Sequence, residues 1–97
     1  WSGFLSEGYE LTDSAAPEAA FGKAFEAVYG GAVPDLVFTA LTDTRFYGLN
    51  YNIPSLCFGA SGAAMHGFNE YVDLESLRKS TKATALFIAE WCGVEKV

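Results

Sequence analysis

The chain has 97 residues, 51% of them hydrophobic, with twelve acidic against six basic side chains and a formal charge of −6. That length suits one domain or part of one. Proteins that bind nucleic acids or anionic membranes need clustered Lys and Arg, whereas the basic residues here are scattered, so the composition excludes both classes of partner. No apolar stretch approaches the roughly 20 residues of a membrane helix and no signal peptide is visible, so we expect a cytoplasmic protein without nucleic-acid or membrane partners.

The first residue and the two cysteines each support an expectation. The sequence starts at Trp1 and not at methionine, so we expect its N-terminus not to be the natural beginning of the gene product. Cys57 and Cys92 lie inside apolar runs at a spacing that matches no metal or redox motif. They are predicted to be buried free thiols.

The first third of the chain predicts a strand and a helix. WSGFLSEGYEL (1–11) alternates loosely and predicts a strand. The helix that follows can be capped by Asp13 or Ser14 and stopped by Gly30-Gly31, with Pro17 and Glu18 suited to its first turn. Its apolar side chains recur with helical spacing along one face: Phe21, Ala24, Phe25 and Val28.

Two continuous apolar runs follow, and each is short enough to be a buried strand: LVFTAL (36–41) and SLCFG (55–59). Between them, Thr42 or Asp43 can cap a short helix that ends near Gly48.

The chain ends in a long amphipathic helix that Asp73 can cap and Gly93 can stop. Its predicted apolar face consists of Leu74, Leu77, Thr81, Ala85, Ile88 and Cys92, widened by Phe87 and Trp91. Alternation of helices with continuous apolar strands predicts an α/β domain with a layered α/β/α architecture, in which the sheet is buried on both sides.

Ligand sites in such sheets gather in loops beyond the carboxyl ends of strands, and two loops occupy that position. In TDTRF, Arg45 can clamp a carboxylate with paired hydrogen bonds or serve as a surface or capping arginine. Asp43 is typical of an N-cap, with a metal or supporting role as the alternative.

The second loop, GASGAAMH, precedes and includes the only histidine. Gly59, Ser61 and Gly62 allow backbone N–H groups to approach an anion closely, although no phosphate-loop motif is present. A zinc site takes three or four protein ligands, and no Cys/His cluster provides them here. His66 is therefore either not a ligand, or one whose co-ligands lie in another segment.

The order of these motifs resembles a known family. TDTRFY, then IPSLCFG, then HGFNEYV and a terminal amphipathic helix resemble, over about residues 34–93, the C-terminal end of the M20 metallopeptidases. That family includes acetylornithine deacetylase, succinyl-diaminopimelate desuccinylase, aminoacylases and carboxypeptidases. One departure is Ala60, which stands where the family loop commonly has proline after F-G.

The resemblance implies a zinc-peptidase-like catalytic domain with two divalent metal ions, zinc or cobalt, and a smaller inserted lid domain through which the protein forms a homodimer. Residues 1–97 are then the C-terminal portion of the catalytic domain, after the lid. In the family the other metal ligands and the glutamate that acts as general base precede the lid, so no catalytic base is expected in this chain, and the chain alone is expected to bind no metal and to be inactive.

Individual roles also follow from the resemblance. It implies that His66 is the last metal ligand, that Arg45 binds the substrate carboxylate, and that Gly59, Ser61 and Gly62 lie beside the bound acyl-amino acid. Asn69 and Glu70 are expected to support the loop of the ligand. The implied substrate is a small N-acyl-amino acid or dipeptide, acetylornithine first and succinylated amino acids or dipeptides next.

Two other classes of function stay open. The high apolar content is compatible with a non-catalytic binding or oligomerisation module, since exposed apolar patches mark partner surfaces. A stand-alone Ser-His-acid hydrolase is disfavoured, because the chain has no G-x-S-x-G motif and its histidine follows a run of small residues.

Overall fold

A computed structural model describes residues 2–96 of the chain. Its elements in chain order are α1 (Ala15–Tyr29), α2 (Thr44–Tyr51), β1 (Gly62–Ala63), β2 (Tyr71–Val72) and α3 (Leu74–Cys92). They belong to two compact units. The first joins the described residues up to Ser14 to Leu36–Cys57, and the second joins Ala15–Asp35 to the described residues from Phe58 onward.

Helix α1 forms as its sequence predicts. It begins directly after Ser14 and ends at Tyr29, where Gly30 takes a left-handed φ of 78° and donates its N–H to the carbonyl of Glu26 at 2.8 Å. Glycine adopts that conformation without steric cost, which is why it ends helices so often. Phe21 and Ala24 of the predicted face are buried, and Phe25 and Val28 are half-buried.

Helix α3 is closed at both ends by local signals. The carboxylate of Asp73 accepts a hydrogen bond from the backbone N–H of Ser76 at 2.5 Å, and Gly93 donates its N–H to Ala89 at 3.0 Å. An N-cap side chain satisfies a backbone donor that the helix itself cannot pair. The predicted cap and stop of this helix are therefore both confirmed.

Helices α1 and α3 pack on each other in the second unit through a cluster of rings. The ring of Phe21 lies 4.8 Å from that of Phe58 and 5.7 Å from that of Phe87, both edge to face. Edge-to-face pairs contribute roughly 0.5–1.5 kcal/mol beyond the burial of their area. An ion pair of Lys23 with Glu90 at 2.7 Å also joins the helices, but both side chains are exposed and such pairs contribute only about 0–1 kcal/mol.

The face that α3 buries differs from the predicted one. Ser80 and Ala83 are buried, whereas Leu74, Ile88 and Trp91 are 71%, 54% and 54% exposed. Small side chains let two helices approach closely, so α1 packs over Ser80 and Ala83 and beside Phe87, while Leu74, Ile88 and Trp91 stay largely exposed. Of the predicted face only Phe87 is partly buried.

The prediction that the thiols of Cys57 and Cys92 are buried is wrong. Both cysteines are free, as predicted, but both are exposed. Cys92 lies on the uncovered side of α3, and Cys57 lies in an extended segment that no neighbouring strand covers.

None of the three predicted strands forms among the described residues. Residues 2–11, 36–41 and 55–59 are irregular, and the only sheet within residues 2–96 is the two-residue antiparallel pair of β1 and β2. A strand exists only through hydrogen bonds to a neighbour, and the described residues offer these runs no partner. Val37 is consequently 90% exposed. The structure thus combines helices with a small sheet, and the predicted α/β/α layering stays a prediction.

In the first unit, α2 begins where the sequence predicts, directly after Asp43, but it ends about one turn later than expected. Asp43 occupies the N-cap position, but its side chain makes no capping hydrogen bond, and the helix continues past Gly48 to Tyr51. Asn52 ends it with a left-handed φ of 53°. Gly48 is needed where it stands, because a Cβ there would collide with the ring of Tyr9.

Within residues 2–96 no helix has both the length and the apolar character to cross a membrane.

We expect the replacement Asp73→Ala to destabilise the fold by about 1 kcal/mol, because it removes the N-cap of the longest helix. Asp73→Asn keeps an acceptor oxygen and should restore most of that loss. Chemical denaturation of the two variants measures the difference, and equal stabilities for Asp73→Ala and the unchanged chain would contradict the capping role.

Candidate functional site

The only histidine lies in a loop whose two ends are joined by β1 and β2. Gly62 pairs with Val72 and Ala63 with Tyr71 in antiparallel register, and the N–H of Asp73 donates to the carbonyl of Ser61 at 2.8 Å. Residues 64–70 form successive turns between the two strands. This ladder brings five of the predicted site residues into one short closed loop: Ser61, Gly62, His66, Asn69 and Glu70.

The presence of glycine at position 62 has a structural explanation that is independent of any ligand. A Cβ at this position would collide with the carbonyl oxygen of Tyr71 across the strand pair. Glycine is therefore required for the two strands to approach. Gly59 has no such neighbour and no left-handed φ, so the fold leaves its backbone accessible.

The backbone of Ser61 is already engaged within the chain. Its N–H donates to the hydroxyl of Ser76 at 2.8 Å, and its carbonyl accepts from the N–H of Asp73. The N–H group is thus not free to bind an anion in this conformation. The exposed hydroxyl of Ser61 is the group left to contact a substrate.

The loop around His66 holds an unusual number of left-handed residues. Ala64, His66 and Asn69 have φ values of 57°, 62° and 59°, and the N–H of Gly67 donates to Ala64 at 2.8 Å. Asparagine tolerates this region, but non-glycine residues held there cost of the order of 1–3 kcal/mol each. Such strain persists only where surrounding contacts over-determine the backbone, and it is concentrated at functional sites.

The imidazole of His66 is exposed and has no hydrogen-bond partner among the described residues. Asn69 and Glu70 are also exposed, and no hydrogen bond joins either side chain to His66 within the part of the chain described. A supporting role for these two residues stays a prediction. The imidazole is free to accept a ligand from outside the unit.

The described residues do not form a complete metal site. Among residues 2–96 there is no group of three or more His, Cys, Asp and Glu side chains that could hold a metal ion. An imidazole nitrogen is a good ligand for zinc or cobalt, but a stable site takes three or four protein ligands. A single imidazole, that of His66, fills at most one position of such a site.

Arg45 lies in the first turn of α2, in the first unit. Its guanidinium donates to the carbonyl of Thr42 at 3.1 Å and lies 4.2 Å from the centre of the Phe46 ring. These two contacts hold a planar cation in a fixed direction, while a guanidinium has five N–H donors in all. The side chain is half-buried, so the remaining donors can reach a carboxylate.

An open groove of about 510 Å³ lies beside this arginine on the same helix. Phe46, on which the guanidinium is stacked, is one of its walls. The other walls are Asp43, Tyr47, Tyr51 and Ile53. The side chain of Asp43 is exposed and makes no capping hydrogen bond. It forms neither a helix cap nor part of a metal site among the described residues.

The loop also depends on Ser76, a residue that the sequence pattern does not single out. Its hydroxyl donates to the carbonyl of Asp73 at 2.8 Å and contacts both backbone groups of Ser61. A signal was available, because a serine hydroxyl near a helix start commonly bonds to a backbone carbonyl three or four residues earlier. Its partner, 15 residues away in sequence, could not be inferred from that spacing.

Comparison with known proteins adds one finding. The sequence model of the peptidase family M20/M25/M40 matches residues 4–90, a range that includes every predicted site residue. A search among curated proteins finds no significant match.

Proposed function

Since the chain belongs to peptidase family M20/M25/M40, we propose that it is the C-terminal portion of the catalytic domain of a metal-dependent amidohydrolase that cleaves N-acyl-amino acids. The observation that carries the proposal is the imidazole of His66, which is exposed and has no partner within residues 2–96. It is held in a left-handed turn inside the stretch that matches the family. A strained backbone that presents a free imidazole is typical of a ligand and costly for a surface residue.

His66 supplies one ligand of a centre of two divalent metal ions, zinc or cobalt, whose other ligands and general base lie in a different segment. Members of the family generally use divalent metals. When bound, such metals lower the pKa of a water molecule and polarise an amide carbonyl. The role of this chain is to hold the imidazole at a defined point of the loop, and it contributes no general base.

Arg45 binds the carboxylate of the substrate. The bond to Thr42 and the stacking on Phe46 support this role, because both fix the guanidinium before a ligand arrives. A planar guanidinium can then donate two parallel hydrogen bonds to a carboxylate. The substrate is a small N-acyl-amino acid or dipeptide, and acetylornithine-like compounds come first by overall resemblance.

The remaining predicted residues have lesser roles in this proposal. Gly59 and the hydroxyl of Ser61 face the acyl-amino acid, and Gly62 keeps the loop closed. Asp43, Asn69 and Glu70 support the loops that carry Arg45 and His66. The whole enzyme is a cytoplasmic homodimer that assembles through an inserted lid domain.

A non-catalytic binding or oligomerisation module is the second candidate. The exposed apolar side chains favour it, since Phe68 is 99%, Val37 90% and Leu36 81% exposed. The same exposure is expected of a portion of a domain whose apolar surfaces pack against another segment of the same protein.

One experiment separates these proposals. The 97-residue chain and the intact gene product are each titrated with zinc by calorimetry and assayed for hydrolysis of N-acetyl-amino acids. We expect the intact protein to bind zinc tightly and to hydrolyse the substrates, and the chain alone to do neither, because one imidazole cannot hold a metal. Tight stoichiometric zinc binding by the chain alone would contradict the proposal, and an intact protein without metal-dependent hydrolysis would favour the module.

A further inference from the structure

The loop of His66 is fastened to the start of α3 by three residues, Ser61, Asp73 and Ser76, which we term the clasp. The hydroxyl of Ser76 accepts from the N–H of Ser61 at 2.8 Å and lies 2.8 Å from the carbonyl of Asp73 and 3.3 Å from that of Ser61. The N–H of Asp73 donates to the carbonyl of Ser61 at 2.8 Å. One side chain thus joins the residue before β1 to the residue after β2.

We propose that Ser76 is a positioning residue that acts through the clasp to hold His66 in its ligand-binding conformation, an inference that rests on the function proposed above. Ser76 does not touch the substrate or the metal. Its effect is exerted on the backbone that carries the imidazole.

The loop needs the clasp because its backbone is strained and few contacts hold that backbone in place. Three non-glycine residues take left-handed φ values. Among the described residues, the loop is held, besides the clasp, only by the two-residue strand pair and the bond from Gly67 to Ala64. A two-stranded pair is marginally stable by itself. Backbone held in a sparsely populated region relaxes when its surroundings cease to over-determine it.

The position of Ser76 explains why a hydroxyl is needed there. The residue is half-buried in the first turn of α3, and its own N–H is bonded to the carboxylate of Asp73. A hydroxyl can accept one hydrogen bond while it donates another, so it can serve Ser61 and Asp73 at once. A methyl group in its place leaves the N–H of Ser61 to water, and the bond from the N–H of Asp73 to the carbonyl of Ser61 is then the part of the clasp that remains.

The test uses the intact protein with the substitutions Ser76→Ala, Ser76→Val, Ser76→Thr and, as a matched control, Ser80→Ala. Ser80 lies on the same helix, but its hydroxyl bonds only to the carbonyl of Leu77. Valine and threonine are isosteric and differ in the hydroxyl alone, so that pair carries the comparison if Ser76→Ala does not fold. The readouts are the metal retained after dialysis, the metal concentration that gives half-maximal activity, and kcat at saturating metal.

We expect Ser76→Ala and Ser76→Val to need roughly 10- to 100-fold more metal, the range found when a group that orients a ligand is lost. At saturating metal kcat should stay within a few-fold of the unchanged enzyme. Ser76→Thr and Ser80→Ala should keep the original metal dependence, even where Ser80→Ala lowers the melting temperature.

Equal metal dependence in the valine and threonine variants would overturn the inference and leave Ser76 with a purely structural role. His66→Ala in the same set separates this outcome from failure of the proposed function. If His66→Ala retains its metal, the function itself is wrong. If it loses the metal while Ser76→Val does not, only the positioning role fails.

Discussion

Replacing His66 with alanine in the intact enzyme is expected to lower metal affinity by more than about a hundredfold, since loss of a group that merely orients a ligand already costs 10- to 100-fold. Hydrolysis should fall in parallel, because the metals are what activate the water molecule. The effect on folding should be small, as the imidazole is exposed and has no partner within residues 2–96. Metal content by atomic absorption and the melting temperature of the metal-free protein measure the two effects separately.

Phe68→Ala is the matched control for this prediction. It lies two residues further along the same loop, is 99% exposed and carries no metal-binding group. Its metal content should equal that of the unchanged enzyme. If His66→Ala retains both metal ions, or if Phe68→Ala loses them equally, the imidazole is not a ligand and the loop serves another purpose.

The helices could be predicted because their determinants are local. Asp73 caps α3 and Gly30 ends α1 through contacts within a few residues, and these signals are readable in the sequence alone. The face that α3 buries could not be read in the same way. Its larger apolar side chains suggested one face, but the contact with α1 forms where Ser80 and Ala83 let the backbones approach.

The predicted strands do not form, and the reason is not local. Residues 36–41 and 55–59 have the composition of buried strands, yet composition cannot provide the neighbouring strand that supplies hydrogen bonds. The exposure of Val37 and Leu36 shows that the first of these runs lacks a covering surface among the described residues. The α/β/α layering therefore depends on several chain segments together, and the composition of these runs alone does not determine it.

For the candidate site, the sequence provides the residue types and their order along the chain but not their geometry. The motif around His66 marks this loop as a candidate, and the family match covers it. The left-handed backbone and the link from Ser61 to Ser76 depend on how the chain folds back on itself. Pattern alone assigned Asp43 to a cap, but its side chain makes no capping bond, because the residue takes a helical conformation in place of the extended one that capping requires.

Replacing Arg45 with alanine is expected to lower kcat/KM for N-acyl-amino acids by roughly ten- to a hundredfold, the equivalent of about 1.5–3 kcal/mol for hydrogen bonds to a charged group. For the matching N-acyl-amino acid amides, which lack the carboxylate, the loss should be small. Arg45→Lys should recover only part of the loss, because an ammonium group cannot form the paired hydrogen bonds of a guanidinium. Steady-state kinetics of the unchanged enzyme and of both variants, each with the acid and its amide, give the six values required.

The comparison of acid with amide distinguishes substrate binding from a structural role of the same arginine. The guanidinium bonds to Thr42 and stacks on Phe46, so its removal can also disturb the start of α2. Such a disturbance lowers activity on both substrates alike, whereas loss of a carboxylate clamp affects the acid alone. Phe46→Leu removes the ring and keeps the cation, and it should weaken selectivity for the acid less than Arg45→Ala does. Equal losses for acid and amide in Arg45→Ala would assign the residue to the fold of α2 and remove the carboxylate from the proposed recognition.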